Sequence, residues 1–360
     1  MVSANPALSK PDPRFGIWAQ VYGASGSFFH PEDPPYASWE RNKRLILETE
    51  ALGFESTLVA QHVFNPRDDE RDQLETWTAS TALAAVTNRI EIIAAIKPYL
   101  FHPTILAKMA SQIEEISQGR FSINLVSAWF KSEFERAGIP FADHDERYEY
   151  GREWISVFRS LFTGERVNFA GRHFNIQDYQ IRPVGRYRPR PTIYAGGESE
   201  QAQALAADTA DVWFINGQPP DDVRRLIEAV AARPRQGPPV RFALSAFVVA
   251  RETAEQAEEE LRYLVSLAQQ DAPLRQVMAT RTDPRAVMFQ TFARNPAFGS
   301  NGGTAAGLVG TYDTIAARIR QFADLGIETF MLQFQPFEAE MRRFAYEVRP
   351  RVERLIKAAA

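Results

Sequence analysis

The chain of 360 residues contains no cysteine. Disulfides, thiolate nucleophiles and cysteine-held zinc or iron–sulfur centres are thereby excluded, and the composition fits a cytoplasmic protein. Any redox chemistry has to come from a bound cofactor. Apolar runs long enough to cross a bilayer, about 18 residues, are also missing. Runs of Lys or Arg are absent and the formal net charge is -4, which argues against a nucleic-acid partner. The five histidines, His30, His62, His102, His144 and His173, are not spaced with a second His or a carboxylate as metal ligands are, so no metal is expected. A GxSxG elbow, a GxGxxG fingerprint and a P-loop lysine are missing too, which disfavours hydrolase, Rossmann and NTPase readings. The opening MVSANPALSKPDPRF has no basic stretch followed by an apolar core. Residues 1–14 therefore read as an extended lead-in rather than a secretion signal.

What remains is 45% hydrophobic and 24% charged, enough to bury one large α/β core. Short β-rich runs alternate with helix-period stretches, as parallel βα units do. Strands are expected near Phe15–Tyr22, Ser56–Gln61, Ile90–Ile96, Phe121–Ser127, Thr192–Ala195, Val212–Ile215, Phe242–Ala250 and Thr329–Phe334, with a helix after each and Phe337–Lys357 closing the chain. Gly53, Gly119 and Gly326 each follow a helical run and precede a strand, where a C-cap glycine belongs. The count is that of a (β/α)8 barrel over residues 15–360. Two insertions interrupt it. Residues 164–190 hold RVNFAGRHFNI, a hairpin turned at Gly171, and residues 271–307 hold NPAFGSNGGTAAG, which suits either a lid or a surface insertion.

Three stretches carry candidate chemistry. FSINLV from Phe121 buries the amide of Asn124 in an apolar strand, and Ser127, Trp129, Lys131 and Glu133 follow at its exit, where a parallel barrel places its site. In IYAGGESE, Gly196 and Gly197 let a ligand approach the backbone and Ser199 opens a helix, a geometry suited to phosphate. Arg147 and Tyr148 in HDERYEY open another helix, and the forked guanidinium suits the same phosphate. Each is equally a plain strand end or helix cap when taken alone. The rival enzyme class is a glycoside hydrolase using a pair among Glu40, Asp72, Glu75 and Glu133, whose separation the sequence does not give.

Taken together, GRFSINLVSAWFKSEFE, HDERYEY, AAIKPYLFHPTILAKMASQIEEISQGR, IYAGGESEQAQALAA and WFINGQPP resemble the bacterial luciferase-like flavin monooxygenases. Within that superfamily they are similar to the two-component branch of dimethyl sulfone, alkanesulfonate and pyrimidine monooxygenases. The resemblance implies a TIM barrel that uses reduced FMN (FMNH2), supplied by a separate NAD(P)H:flavin reductase, and O2 to oxidise a small substrate. It also implies a homodimer or homotetramer. By position it puts Gln61, His62, Asn124 and Glu133 at the flavin ring, and Arg147, Tyr148, Gly196, Gly197 and Ser199 at the phosphate end.

For the substrate, the resemblance contrasts with the alkanesulfonate type. Ser245, Phe247, Asn301, Gln335 and Phe337 stand where those enzymes carry Arg, His, Arg, Tyr and His, a loss of positive charge that disfavours a sulfonate. Asn216, Phe247 and Trp129 agree with the dimethyl sulfone type, although its histidine near the carboxy terminus is missing. A flat heterocycle stacked among Trp18, Trp129 and Phe247 and bonded by Gln20, Asn216, Ser245 and Gln335 is the alternative. It implies pyrimidine- or riboflavin-type ring cleavage. An F420-dependent or inactive flavin-binding barrel is a further one.

Overall fold

The computed structural model describes residues 12–127, 129–283, 287 and 298–358. Most of the lead-in and the middle of the 271–307 insertion lie outside the described residues. In chain order the strands are β1 (Arg14–Trp18), β2 (Ser56–Val59), β3 (Glu91–Ile96), β4 (Phe121–Leu125), β5 (Val167–Ala170), β6 (Asn175–Tyr179), β7 (Thr192–Gly196), β8 (Val212–Ile215), β9 (Arg241–Phe247), β10 (Val249–Arg251), β11 (Val309–Thr311) and β12 (Ile327–Gln333). Eight of them, β1, β2, β3, β4, β7, β8, β9 and β12, close into a barrel. Every pairing in it is parallel, and β12 returns to β1 with Phe15 opposite Phe330. The expected (β/α)8 architecture is the one observed.

Side chains at paired positions of a parallel ladder share a face, so the register defines layers inside the barrel. The lower layer is polar. Arg14 donates to Glu91 (3.1 Å), as do the hydroxyls of Ser122 (2.6 Å) and Tyr194 (3.3 Å), and burial pushes the Tyr194 phenol well above its ordinary range, so it stays a donor. In the upper layer Trp18 is opposite Leu58, Ala95 opposite Asn124, and Gly196 opposite Phe214. Ala95 and Gly196 are small, and the barrel opens above them.

Gly53, Gly119 and Gly326 are at φ +84°, +87° and +103°, so the expected helix stops hold. The 164–190 insertion forms the β5–β6 hairpin, closed by Gly171 N–H donating to the Phe174 carbonyl (2.9 Å). Three features depart from expectation. The run expected as Phe242–Ala250 splits after Phe247, and its second half pairs with β11 as a separate two-stranded sheet. The closing helix is broken by a π-turn at Phe344–Val348, just ahead of Pro350, whose missing N–H ends the preceding ladder. The 271–307 insertion begins as a helix, Ala272–Thr280, since one Pro at its first turn costs a helix nothing.

The lower layer has no spare room at Gly16. A Cβ there would lie 2.8 Å from the Ser56 carbonyl oxygen and 2.9 Å from the Met331 sulfur. Gly16→Ala should therefore lower stability by about 3 kcal/mol, read by urea denaturation; an unchanged midpoint would contradict this packing.

Candidate active site

The upper layer and the βα loops enclose a cavity of about 470 Å³ at the C-terminal face of the barrel, a size suited to a cofactor with a small substrate. Its wall takes Trp18 from β1, Leu58 and Ala60 from β2 and its exit, Ala95 from β3, Asn124 from β4, Gly196 from β7 and Phe214 from β8. The loops add charge and hydroxyls.

One end is built on a buried ion pair. Lys97, the first residue after β3, places its ammonium 2.5 Å from Glu133 Oε2 and 3.1 Å from His62 Nδ1, and His62 Nδ1 is 3.1 Å from the same oxygen. Glu133 Oε1 accepts the Val63 N–H (3.0 Å), and Gln61 Oε1 accepts the Lys97 N–H (2.6 Å). Burial alone would raise the Glu133 carboxyl, but Lys97 and His62 outweigh it and hold it near a pKa of about 2. Burial and then the Lys97 charge push His62 down to about 4. Trp129 stands edge-on to the His62 ring at 5.5 Å. Asn124 Oδ1 is buried on the cavity wall without a hydrogen-bond partner among the described residues, an acceptor suited to a ligand N–H.

The other end is rich in hydroxyls and backbone N–H. Ser199 caps the helix Glu200–Thr209, accepts from Ala202 N–H and donates to the Tyr148 hydroxyl (3.2 Å), which burial keeps protonated. Gly197, at φ +110°, has no Cβ to contact Tyr148 and Ala202 beside it. Arg147 is also on the wall, but its donors are engaged. Nε bonds the Ser127 carbonyl (3.0 Å), Nη1 the Ala142 carbonyl (2.7 Å), and Nη2 the carboxylate of Asp283, which arrives from the 271–307 insertion. The Asp283 N–H donates to the Trp129 carbonyl (2.8 Å), so this part of the insertion is docked on the β4 exit.

Of the residues expected in the site, Gln61, His62, Asn124, Arg147, Tyr148, Gly196, Gly197, Ser199, Trp18, Trp129, Asn216 and Asn301 line this cavity. Six others stand behind its wall. Glu133 is fully buried under Lys97 and His62, because an unscreened ammonium needs its carboxylate. Ser245 is spent on the Trp18 indole N–H (3.1 Å), and Gln20 on the Trp18 carbonyl (3.2 Å) and Ser25 (2.9 Å). Gln335 clasps both backbone groups of Ser27, at 2.8 and 2.7 Å. Phe247 packs edge-to-face on Phe298 (4.8 Å), and Phe337 likewise on Phe334 (5.6 Å), both in core. These side chains support the wall and do not touch the space within it.

Sequence reasoning passed over Lys97, Tyr22, Arg67, Phe214 and Phe298, all on the wall. Lys97 had a legible signal, a charged residue directly after the apolar run EIIAAI at the C-terminal end of a barrel strand. Phe214 is indistinguishable from core in a run such as VWFI.

A parallel barrel with a phosphate-suited turn at one end of its mouth, and an orphaned amide, a histidine and an indole at the other, is a cofactor-dependent enzyme of the TIM-barrel class. The family model for luciferase-like monooxygenases matches residues 19–329, and the chain belongs to that family. It is 30% identical to the FMNH2-dependent dimethylsulfone monooxygenase of Pseudomonas putida, over 95% of this chain and 96% of that protein. Its fold is shared with DmoA from Hyphomicrobium sulfonivorans (TM-score 0.78, 18% identity, covering 96% of this chain and 88% of that one). A long-chain alkane monooxygenase shares it too (TM-score 0.80, 17% identity, covering 96% and 92%). No described helix is long and apolar enough to cross a membrane.

The titration of the ion-paired end has a defined sign. His62 is held at about 4 against an ordinary 6.5, so the unfolded chain takes up the proton first and stability falls as pH drops from 6.5 to 4. Glu133, at about 2 against an ordinary 4.5, continues the loss from 4.5 down to 2. His62→Gln should flatten the upper window, by up to about 1.4 kcal/mol per pH unit, measured by urea denaturation across pH 7 to 4.

Proposed function

We propose that the chain is an FMNH2- and O2-dependent monooxygenase fed by a separate NAD(P)H:flavin reductase, and that its substrate is a small neutral organosulfur compound of the sulfone type. Residues on the wall fit the cofactor. Asn124, Gln61, His62 and Trp129 would hold the ring end, and Ser199, Tyr148, the Gly196–Gly197 turn and the Glu200–Thr209 helix start the phosphate. When bound, reduced flavin supplies the electrons that activate O2. The protein binds, orients and keeps water out.

The observation that carries the substrate reading is the pairing of the cavity's cations. Lys97 has Glu133, Arg147 has Asp283, and Arg67 has Asp271 at 3.5 Å. Arg275 is exposed and donates to the Ala268 carbonyl. A buried anionic substrate would need donors that these carboxylates already hold, whereas a sulfone needs only N–H and O–H donors to its neutral oxygens. Asn216 and Asn301 offer amides there, beside the apolar faces of Trp18, Phe214 and Phe298. Identity over nearly the full length with a dimethylsulfone monooxygenase supports the same class. A cytoplasmic location and a homodimeric or homotetrameric assembly belong to this reading, and sedimentation reads the latter.

The test is anaerobic titration with FMNH2 followed by oxygen consumption with a reductase present. Micromolar binding and sulfone-dependent release of formaldehyde are expected; binding of F420 in place of FMN, or ring-opened products from heterocycles only, would replace the reading. Ser199→Ala should weaken FMNH2 binding by about 1 to 3 kcal/mol. Asp283→Asn should strengthen binding several-fold by freeing Arg147, and unchanged affinity in both variants would remove the phosphate from this end.

A further inference from the structure

Lys97 and Glu133 expose 2% and 0% of their side-chain surface, and His62 closes a triangle with them. Only one ring nitrogen of His62 is in that triangle. Nδ1 faces both an ammonium and a carboxylate oxygen at 3.1 Å, so its proton could in principle be absent or present. Donor counting separates the two. An ammonium has three N–H groups and no lone pair. If Nδ1 carried a proton, Lys97 would be left with the Glu133 bond as its one partner while buried, and its cation would face an N–H dipole. If Nδ1 is bare, Lys97 donates to both, and Glu133 remains satisfied by Lys97 on Oε2 and Val63 N–H on Oε1. A bare Nδ1 and Oε2 are two acceptors 3.1 Å apart, and the ammonium that donates to both offsets their repulsion, whereas a buried ammonium left facing an N–H has no such compensation.

We propose that Lys97 is a positioning residue that fixes His62 in the neutral Nε2–H tautomer, so that the cavity meets a single N–H donor at this point and not a base. Among the described residues the charged groups facing His62 are Lys97 from the β3 exit and Glu133 from the helix Lys131–Arg136, and the rings of Trp129 and Phe130 stand edge-on to it at 5.5 and 6.1 Å. Burial and Lys97 outweigh Glu133 in setting the low proton affinity of the ring. Lys97 thus decides the polarity of the ligand-facing nitrogen. With the lysine charge removed, Glu133 would draw a proton onto Nδ1, Nε2 would become a lone pair, and the ring would charge readily. The role rests on the flavin reading above, in which His62 would help hold the ring end of FMNH2, but the tautomer itself belongs to the free protein.

The experiment is a long-range 1H–15N spectrum of imidazole-labelled full-length protein without FMN, with His62 assigned by His62→Gln. The expected result is an Nε2–H ring that stays neutral until pH falls to about 4. Lys97→Met should convert it to Nδ1–H and lift its pKa above 6.5, and Lys97→Arg should restore the wild-type spectrum. An Nδ1–H ring in the wild type, or the same tautomer and pKa in Lys97→Met, overturns the proposal. Should Lys97→Met fail to fold, Lys97→Gln serves, since it removes the charge but keeps a polar donor: the His62 pKa should rise, and an unchanged pKa would overturn the idea equally. In FMNH2 binding, wild type and Lys97→Arg should share one pH dependence from pH 8 to 5.5, set by the ligand's own phosphate, while Lys97→Met should lose at least tenfold. Absence of FMNH2 binding by a wild type with the expected tautomer would defeat the flavin reading and leave the assignment of Lys97 standing.

Discussion

The buried contact between Lys97 and Glu133 is the constraint on which the rest of the site depends. Neither charge reaches water, so each is tolerable only with the other in place, and removing one partner from such a pair costs about 3 to 5 kcal/mol. The pair also joins three separate βα connections. Lys97 follows β3, Glu133 stands on the short helix after β4, and His62 and Val63 follow β2 and bond the same carboxylate. Because the Lys97 N–H is held by Gln61 as well, backbone and side chain of one residue set the spacing of the β2 and β3 exits. A site built this way is rigid at its ring end before any ligand arrives, which is how a protein makes orientation inexpensive.

The opposite end follows a different principle. Its donors are hydroxyls, a helix N-terminus and glycine backbone, none carrying a formal charge, and the guanidinium of Arg147 is engaged by Asp283 from the insertion. A phosphate entering here meets a carboxylate on the guanidinium it would itself use. A ligand that drew on Arg147 would therefore compete with Asp283, and the backbone of residues 281–283 also bonds Trp129 and Ser132. One end is fixed by a buried ion pair, and the other by hydroxyls, glycine backbone and a docked insertion.

The barrel was legible because two periodicities and a few glycines agree: apolar strands, helices of period 3.6, and left-handed stops at Gly53, Gly119 and Gly326. Which polar side chains reach the cavity was legible only in part. Asn124 and Ser199 lie on strand and helix positions whose direction the local pattern fixes. Glu133, Ser245 and Gln335 lie at equally suitable positions, but each is claimed by a partner remote in sequence, Lys97, Trp18 and Ser27, respectively. No local pattern carries such pairings. Phe247 failed for a related reason: whether an aromatic at a strand end faces a ligand or a returning loop depends on the loop, here Phe298 and Gly299.

That returning loop shows where specificity is built. Gly302, at φ +86°, comes so close to Gly217 after β8 that a Cβ would lie 2.2 Å from the Gly217 nitrogen and oxygen, and the Gly217 N–H donates to the Asn301 carbonyl (3.0 Å). Two glycines thus let the end of the insertion lie directly on a barrel loop, and this contact aims Asn301, Ser300 and Phe298 at the cavity. The ring end is made by residues on or just past β2, β3 and β4, whereas the outer wall is made by the insertion. A change in the insertion can alter which molecule fits without disturbing Lys97, Glu133 or Asn124. The fold itself is shared, at 18% and 17% identity, with DmoA and with a long-chain alkane monooxygenase. The barrel strands supply the inner wall of the cavity, and the end of the insertion that lies on the β8 loop supplies part of its outer wall.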